Sequence, residues 1–131
     1  MHFLTPIAMA LAATATSAAA KDINCGGSVL CNTPGAPGIR NDLIKQILDH
    51  VQGRDDNEEF GEHEYIDCQD EMCAFFEEIG DGETKTMFDA KWGLQALLDH
   101  GCSTCGGVPI NPDSHDVGEG KLKVDYVSDP L

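Results

Sequence analysis

The sequence predicts an α+β fold, a two-layer sandwich in which an antiparallel or mixed sheet carries helices on one face and disulfides staple the layers. Three observations lead to it. Two segments place apolar residues at helical spacing, around 39–52 and 84–100. Strand patterns lie before, between and after them, and the last, Lys121 to Val127, alternates cleanly. Six cysteines in 131 residues supply the staples.

The elements follow in chain order. Met1 to Ala20 carries no acidic side chain, has an apolar run from Phe3 through Leu11 to Ala13, and closes on Ala18-Ala19-Ala20. That is the pattern of a secretory signal peptide with a small-residue cleavage site, so residues 1–20 are expected to be removed and residues 21–131 to form the single mature domain. Spanning a bilayer takes roughly 20 predominantly apolar residues. This stretch is interrupted by Thr5, Pro6, Thr14, Thr16 and Ser17, and no later segment is apolar enough. A secreted, extracellular protein without stable membrane insertion is the expectation.

Asp22-Ile23-Asn24-Cys25 reads as a short strand, followed by a turn-rich loop from Gly26 to Gly38. Ile39, Leu43, Ile44, Ile47, Leu48 and Val51 recur at helical spacing and predict an amphipathic helix over 39–52 that Gly53 stops. From Arg54 to Glu64 acidic residues dominate, and the stretch reads as a solvated loop. Tyr65 to Cys68 and Met72 to Phe76 flank a polar Gln69-Asp70-Glu71, which predicts a β-hairpin with Cys68 and Cys73 facing across the turn. Gly80-Asp81-Gly82 ends its second strand. Met87, Phe88, Ala90, Leu94, Leu97 and Leu98 are the expected apolar positions of the second helix, with Gly101 at the left-handed position beyond its end. Gly93 inside that helix weakens it by about 1 kcal/mol relative to Ala, which suggests a close packing contact. In the last strand Leu122, Val124 and Tyr126 share one face.

Composition narrows function. All 23 acidic residues and all 8 Lys and Arg lie after Ala20, so the mature chain carries the full net charge of −15. Such a chain repels nucleic-acid phosphates, and nucleic-acid binding is excluded as a main role. An even cysteine count in a secreted domain reads as three disulfides, with fifteen connectivities open. Cys102-Ser103-Thr104-Cys105 has no second pair at similar spacing for zinc and no βαβ pattern upstream for a thioredoxin-like redox site. Asp55 to Glu64 and Asn111 to Asp116 are acidic enough to attract cations, but neither has the oxygen-ligand spacing of a calcium loop. Glu58, Glu59, Glu62 or Glu64 could pair with Asp113 or Asp116 as hydrolytic carboxylates, yet nothing in the sequence places them together. His50, His63, His100 and His115 lie apart, and no nucleophile motif accompanies them. No enzyme activity, cofactor or metal is expected, and the protein is expected to be a monomer.

Four motifs in order give the chain a family resemblance. Ile23-Asn24-Cys25-Gly26-Gly27-Ser28 with Cys31 resembles the opening of the killer toxin KP-four family, named after a virus-encoded toxin of a smut fungus. His100-Gly101-Cys102-Ser103-Thr104-Cys105-Gly106-Gly107-Val108-Pro109 is similar to that family's His-Gly-Cys-x-x-Cys-Gly-Ser-x-Pro. Cys73-Ala74-Phe75-Phe76 resembles its Cys-Ala-Phe stretch. His115-Asp116-Val117, with Gly120 to Val127, resembles its Asn-Asp-x and Gly-x-Leu-Thr-Val-Asn-Tyr-Val ending. The resemblance implies an antiparallel sheet with helices and the pairs Cys25–Cys102, Cys31–Cys105 and Cys68–Cys73. It implies a secreted, non-enzymatic toxin whose partner is a target-cell surface protein, in the founding member a calcium channel. That toxin is basic and depends on a lysine just before a central cysteine. The matching stretch here, Glu62-His63-Glu64-Tyr65-Ile66-Asp67-Cys68, has no lysine. Lys85, Lys91, Lys121 and Lys123 are the cationic candidates for a target contact outside the N-terminal region, where solvated surface is their ordinary role.

Overall fold

The computed structural model describes residues 22–28, 31, 42–110 and 120–131. In chain order the elements are α1 (Leu43–Val51), β1 (Glu59–Gly61), β2 (Asp67–Gln69), β3 (Met72–Glu77), β4 (Thr84–Thr86), α2 (Met87–His100), β5 (Gly106–Pro109) and β6 (Lys121–Tyr126). An antiparallel four-stranded sheet runs β2-β3-β6-β5, and β1 pairs with β4 in a separate two-stranded ribbon. Successive side chains on a strand point to opposite faces. Ala74 and Phe76 therefore join their register partners Val124 and Leu122 on one face, and Val108 pairs with Leu122. The buried residues of both helices pack against that face, which is the α+β two-layer arrangement expected.

All the apolar positions foreseen for α1 within its span are buried: Leu43, Ile44, Ile47, Leu48 and Val51. The helix begins without a side-chain cap. Instead, the Ile44 N–H donates to the Ser103 carbonyl (3.0 Å), fastening the helix start to the segment between Cys102 and Cys105. The expected first turn, 39–41, lies outside the described residues, as does most of the 26–38 loop.

Three expectations need correction. The stretch 54–64 is not merely solvated loop, because Glu59–Gly61 forms β1 and Phe60 is buried in the core. Its carbonyls also serve α2. The Met87 N–H donates to the Glu58 carbonyl (2.8 Å) and the Phe88 N–H to the Asp56 carbonyl (3.0 Å), satisfying two of the donors that a helix start leaves open. The second helix starts at Met87 rather than 84, since Thr84–Thr86 is strand β4. Thr86 closes a capping box, its Oγ1 accepting from the Asp89 N–H while the Asp89 carboxylate accepts from the Thr86 N–H. The expected strand at 22–25 is a single bridge, Asn24 to Gly107, with hydrogen bonds of 2.9 Å in both directions.

Glycines permit the closest approaches. A Cβ at Gly93 would lie 2.7 Å from Leu122 Cδ2, so the helix glycine is where α2 meets β6. At Gly106 it would lie 2.7 Å from Leu97 Cδ2 and 2.9 Å from the Asn24 carbonyl oxygen. Gly101 ends α2 at φ 101°, as its position suggests.

Two disulfides join the N-terminal segment to the turn after α2, Cys25–Cys102 with Cα atoms 5.2 Å apart and Cys31–Cys105 at 6.0 Å. Cys68–Cys73 spans the β2–β3 hairpin, where the two residues are register partners. These are the three pairs that the resemblance implies. Cys31 and Cys105 pack with Leu43 and Met72 in a small cluster beside the main core, with Tyr126 against it. The Tyr126 hydroxyl donates to Glu71 Oε2 (2.6 Å), holding the hairpin turn to the end of β6.

The two long bridges are nearly coincident loops, with separations of 77 and 74 residues. Alone, either closure is worth about 4.5 kcal/mol by chain entropy, but once one is closed the other fixes a loop of only about ten residues, worth about 2.7 kcal/mol. Replacing Cys25 and Cys102 by Ser, or Cys31 and Cys105, is therefore expected to cost about 2.7 kcal/mol each, and replacing all four about 7 kcal/mol. Denaturant melts of the three variants check this. A domain near the lower end of the typical range of about 5–15 kcal/mol survives either single loss and unfolds on the double loss.

A second expectation concerns Tyr126. The hydrogen bond to Glu71, then burial, then the neighbouring negative charge push its phenol above the ordinary 10.0. The neutral phenol is the form favoured by the fold, so this contribution to stability is complete below pH 10 and lost as pH rises through the raised value. In an absorbance titration of the two tyrosines, one should ionise above 10, and Glu71→Ala should bring it down.

Candidate functional site

The lysines are the natural place to look for a target contact. Lys91 extends from α2 across to the end of α1, where its ammonium donates to the Gln52 carbonyl (3.1 Å), the Arg54 carbonyl (2.7 Å) and Asp56 Oδ1 (2.6 Å). Its side chain is only 16% exposed. All three donors of the ammonium have an acceptor, so this lysine is a clasp between the helices. Beside it Arg54 forks onto Glu58 (3.1 and 2.6 Å), donates to the Ile66 carbonyl (2.8 Å) and lies over the Phe60 ring at 5.8 Å. The acidic stretch after α1 is ordered by this set of contacts.

Lys121 and Lys123 sit on the sheet face opposite the helices. Lys121 is 3.3 Å from Glu77 and 18% exposed, and Lys123 is 3.8 Å from Asp125 and 22% exposed. Lys85 lies in β4, opposite Phe60, and is half-buried. The four lysines are thus divided between the helix side and the outer sheet face and do not assemble into one cationic patch.

Asp125 is a junction of a different kind. Its Oδ1 accepts from the Ser28 N–H (2.9 Å) and the Tyr126 N–H (2.8 Å), anchoring the N-terminal segment to β6. Cys31 Sγ is 3.3 Å from the same oxygen, but a sulfur bonded to Cys105 carries no proton, so this is a packing contact. Cys31, Cys105 and Asp125 are close enough to resemble a metal site. With both sulfurs in a disulfide, the thiolates that a metal would need are not available. A Cβ at Gly27 would lie 2.8 Å from Cys31 Sγ and 3.0 Å from Asp125 Oδ1, which accounts for glycine there.

The acidic residues weighed as hydrolytic carboxylates have structural occupations. Glu58 holds Arg54, and Glu59 accepts from the Thr84 hydroxyl (2.7 Å). Glu62 accepts from the Ile79 and Gly80 N–H groups (3.0 and 3.1 Å), and Glu64 from the Gly61 N–H (3.0 Å). Asp113, His115 and Asp116 lie outside the described residues. His50 meets the buried Asp67 (2.6 Å), His63 meets Glu77 (3.2 Å), and His100 occupies the last turn of α2. These histidines are separate and none faces a nucleophile among the described residues.

A sequence model of the Kp4 family matches residues 8–128, nearly the whole chain and all six cysteines. The chain belongs to the Kp4 killer toxin family. No curated protein matches it at a significant level. The segment Glu62 to Cys68, where the resemblance places the family's central lysine, is here acidic and folded against β3. Glu62 bridges Phe76, the His63 N–H donates to the Phe76 carbonyl (2.9 Å), and the His63 and Tyr65 rings flank Phe75 at 6.0 Å.

One surface feature escapes the sequence reading. Phe88, expected in the core, is 60% exposed, and Trp92 is 52% exposed. They are four residues apart and so lie on one helix face. That face is turned away from the buried Met87, Ala90, Leu94 and Leu97. The signal was the offset itself: 88, 92 and 96 form their own helical stripe beside the core stripe.

The clasp gives a test. Lys91→Met should destabilise the fold by about 1–2 kcal/mol, because three charge-assisted hydrogen bonds from a largely enclosed ammonium are lost. Lys123→Ala should cost less than about 1 kcal/mol, the usual worth of a long surface ion pair. Thermal and denaturant melts of both variants decide whether Lys91 is structural, as the contacts require.

Proposed function

We propose that this protein is a secreted antagonist. Residues 1–20 direct export and are removed, and the mature domain acts from outside competing or host cells, inhibiting their growth by binding a target-cell surface protein rather than by catalysis. The observation that carries this reading is membership of the Kp4 killer toxin family across residues 8–128. Three disulfides support the extracellular setting, since such bonds persist in oxidising compartments. No described helix is long and apolar enough to cross a membrane.

The family's route, reduced calcium uptake, has to operate here without a plugging lysine. Lys91 is committed to the fold, and a chain of −15 is repelled by the carboxylates that line a cation-channel mouth. A second reading follows from that observation: an extracellular effector that binds a cation or cell-wall component and has lost channel block.

Purified, oxidised residues 21–131 applied to fungal cells and plant seedlings, with and without added calcium, separate the two. Dose-dependent growth inhibition relieved by calcium is the expected result, and Lys121→Ala with Lys123→Ala then tests the outer sheet face. Folded protein with no effect on either target would contradict direct antagonism. A melting temperature that rises with calcium would instead support the cation-binding reading, because a ligand selective for the native state stabilises it.

A further inference from the structure

Phe88 and Trp92 leave two large aromatic rings in solvent on one face of α2. Trp92 forms the wall between two shallow clefts. The larger, about 450 Å³, has Ile23 and Ala96 as apolar lining and Gln95, Asp99 and His100 at its polar edge. The smaller, about 280 Å³, is bounded by Phe88, Asp89 and Ile110. The residues supplying fixed charge to both clefts are Asp89 and Asp99, and the nearest lysine on the helix, Lys91, turns its ammonium away to Gln52, Arg54 and Asp56. The face is therefore aromatic with an acidic rim, on a chain of net charge −15.

We propose that the Phe88–Trp92 face of α2 is the docking surface for a basic, arginine-bearing segment of the target-cell protein. A guanidinium stacks over an indole more favourably than over any other ring, and it forks onto carboxylates. Asp99, exposed in the larger cleft beside Trp92 and held only by the Gln95 side-chain amide, is placed to meet such a group, while Asp89 keeps its capping-box bonds to Thr86 and adds negative charge at the smaller cleft. The fold already contains this chemistry once, where Arg54 lies over Phe60 and grips Glu58. Charge complementarity selects the partner: a basic segment is drawn to the acidic surface at long range and is held by the rings at contact. A second copy of the chain fits poorly. Two aromatic side chains cover about 150–250 Å² each, short of the roughly 600 Å² per partner at the low end of stable interfaces. Two copies would also bring together −15 on each side.

The proposal supplies the partner chemistry for the antagonist reading and rests on it only for where the segment comes from. Its test uses purified components, so its failure leaves the growth assay untouched, and a failed growth assay leaves the binding result standing. Trp92 is the protein's one tryptophan and reports directly. The oxidised mature chain is titrated with a short peptide alternating Arg and Leu, one alternating Lys and Ser, one alternating Glu and Leu, and chitin and β-glucan oligosaccharides. Binding of the labelled peptides is followed in parallel by anisotropy. The expected result is a saturable shift of Trp92 emission with the Arg-Leu peptide, and affinity lowered about tenfold by Trp92→Ala and by Asp99→Lys. Both positions are exposed, and circular dichroism confirms folding; Phe88→Ala serves as a second aromatic variant. Unchanged Arg-Leu affinity in Trp92→Ala would overturn the proposal, since general charge attraction would then suffice. So would equal binding of the Lys-Ser or Glu-Leu peptide. Saturation of Trp92 by an oligosaccharide but not by the Arg-Leu peptide would assign the face to cell-wall sugar. A dimer in sedimentation that Trp92→Ala dissociates would assign it to a second copy.

Discussion

The structure depends on the tie between the N-terminal segment and the turn that follows α2. Cys25–Cys102 and Cys31–Cys105 fasten that segment at two points, and everything near them is arranged to let the backbones meet. Gly27 and Gly106 leave room where a Cβ would collide, Asn24 and Gly107 exchange backbone hydrogen bonds, and Asp125 takes the Ser28 N–H from the far strand of the sequence. Ser103, between the bonded cysteines, supplies the carbonyl that starts α1. A domain of this size has one modest core. The tie matters because the two helices and β6 are brought together by contacts distant in sequence, and the bridges remove much of the chain entropy that opposes them.

The acidic residues also hold the fold together. Carboxylates of the run 54–64 are occupied, Glu58 with Arg54, Asp56 with Lys91 and Glu62 with two backbone N–H groups, and in the hairpin turn Glu71 holds Tyr126. They fasten loops at the cost of some repulsion, which the disulfides offset. What this leaves outward is a surface short of cations, with Lys121 and Lys123 paired on the outer sheet face and Lys91 enclosed. The chain belongs to the Kp4 family and presents a net negative surface. The recognition proposed through aromatic rings and carboxylates suits a field of that sign.

Periodicity made the two helices, the hairpin and β6 legible, because each buries one regular face. Gly93 and Gly101 were legible for the same reason, as departures from good helix residues at positions that demanded them. What escaped was set by tertiary contacts. Strand β1 is three residues in an acidic stretch, held by β4 and by carbonyls capping α2, and no local pattern announces it. Strand β5, Gly-Gly-Val-Pro, has poor strand propensity and is placed by tertiary contacts, with Gly106 admitting Leu97 and the Asn24 backbone. The Thr86 capping box is readable as Thr-x-x-Asp and places the helix start at Met87, the first of its apolar positions. Phe88 is apolar by type, but its spacing from Met87, Ala90 and Leu94 puts it on another face of the helix. For the candidate site, the cysteine pairing came from family resemblance, and the aromatic face only from the folded arrangement.

The two long bridges together hold the sheet and helices as one unit. Hydrogen exchange measured on the oxidised and the fully reduced mature chain tests it most directly. Reduction is expected to abolish protection throughout β3, β6 and α2 together, including the amides remote from the cysteines. Persistent protection of β3 and β6 in the reduced chain would show that the core stands without the tie and would contradict it.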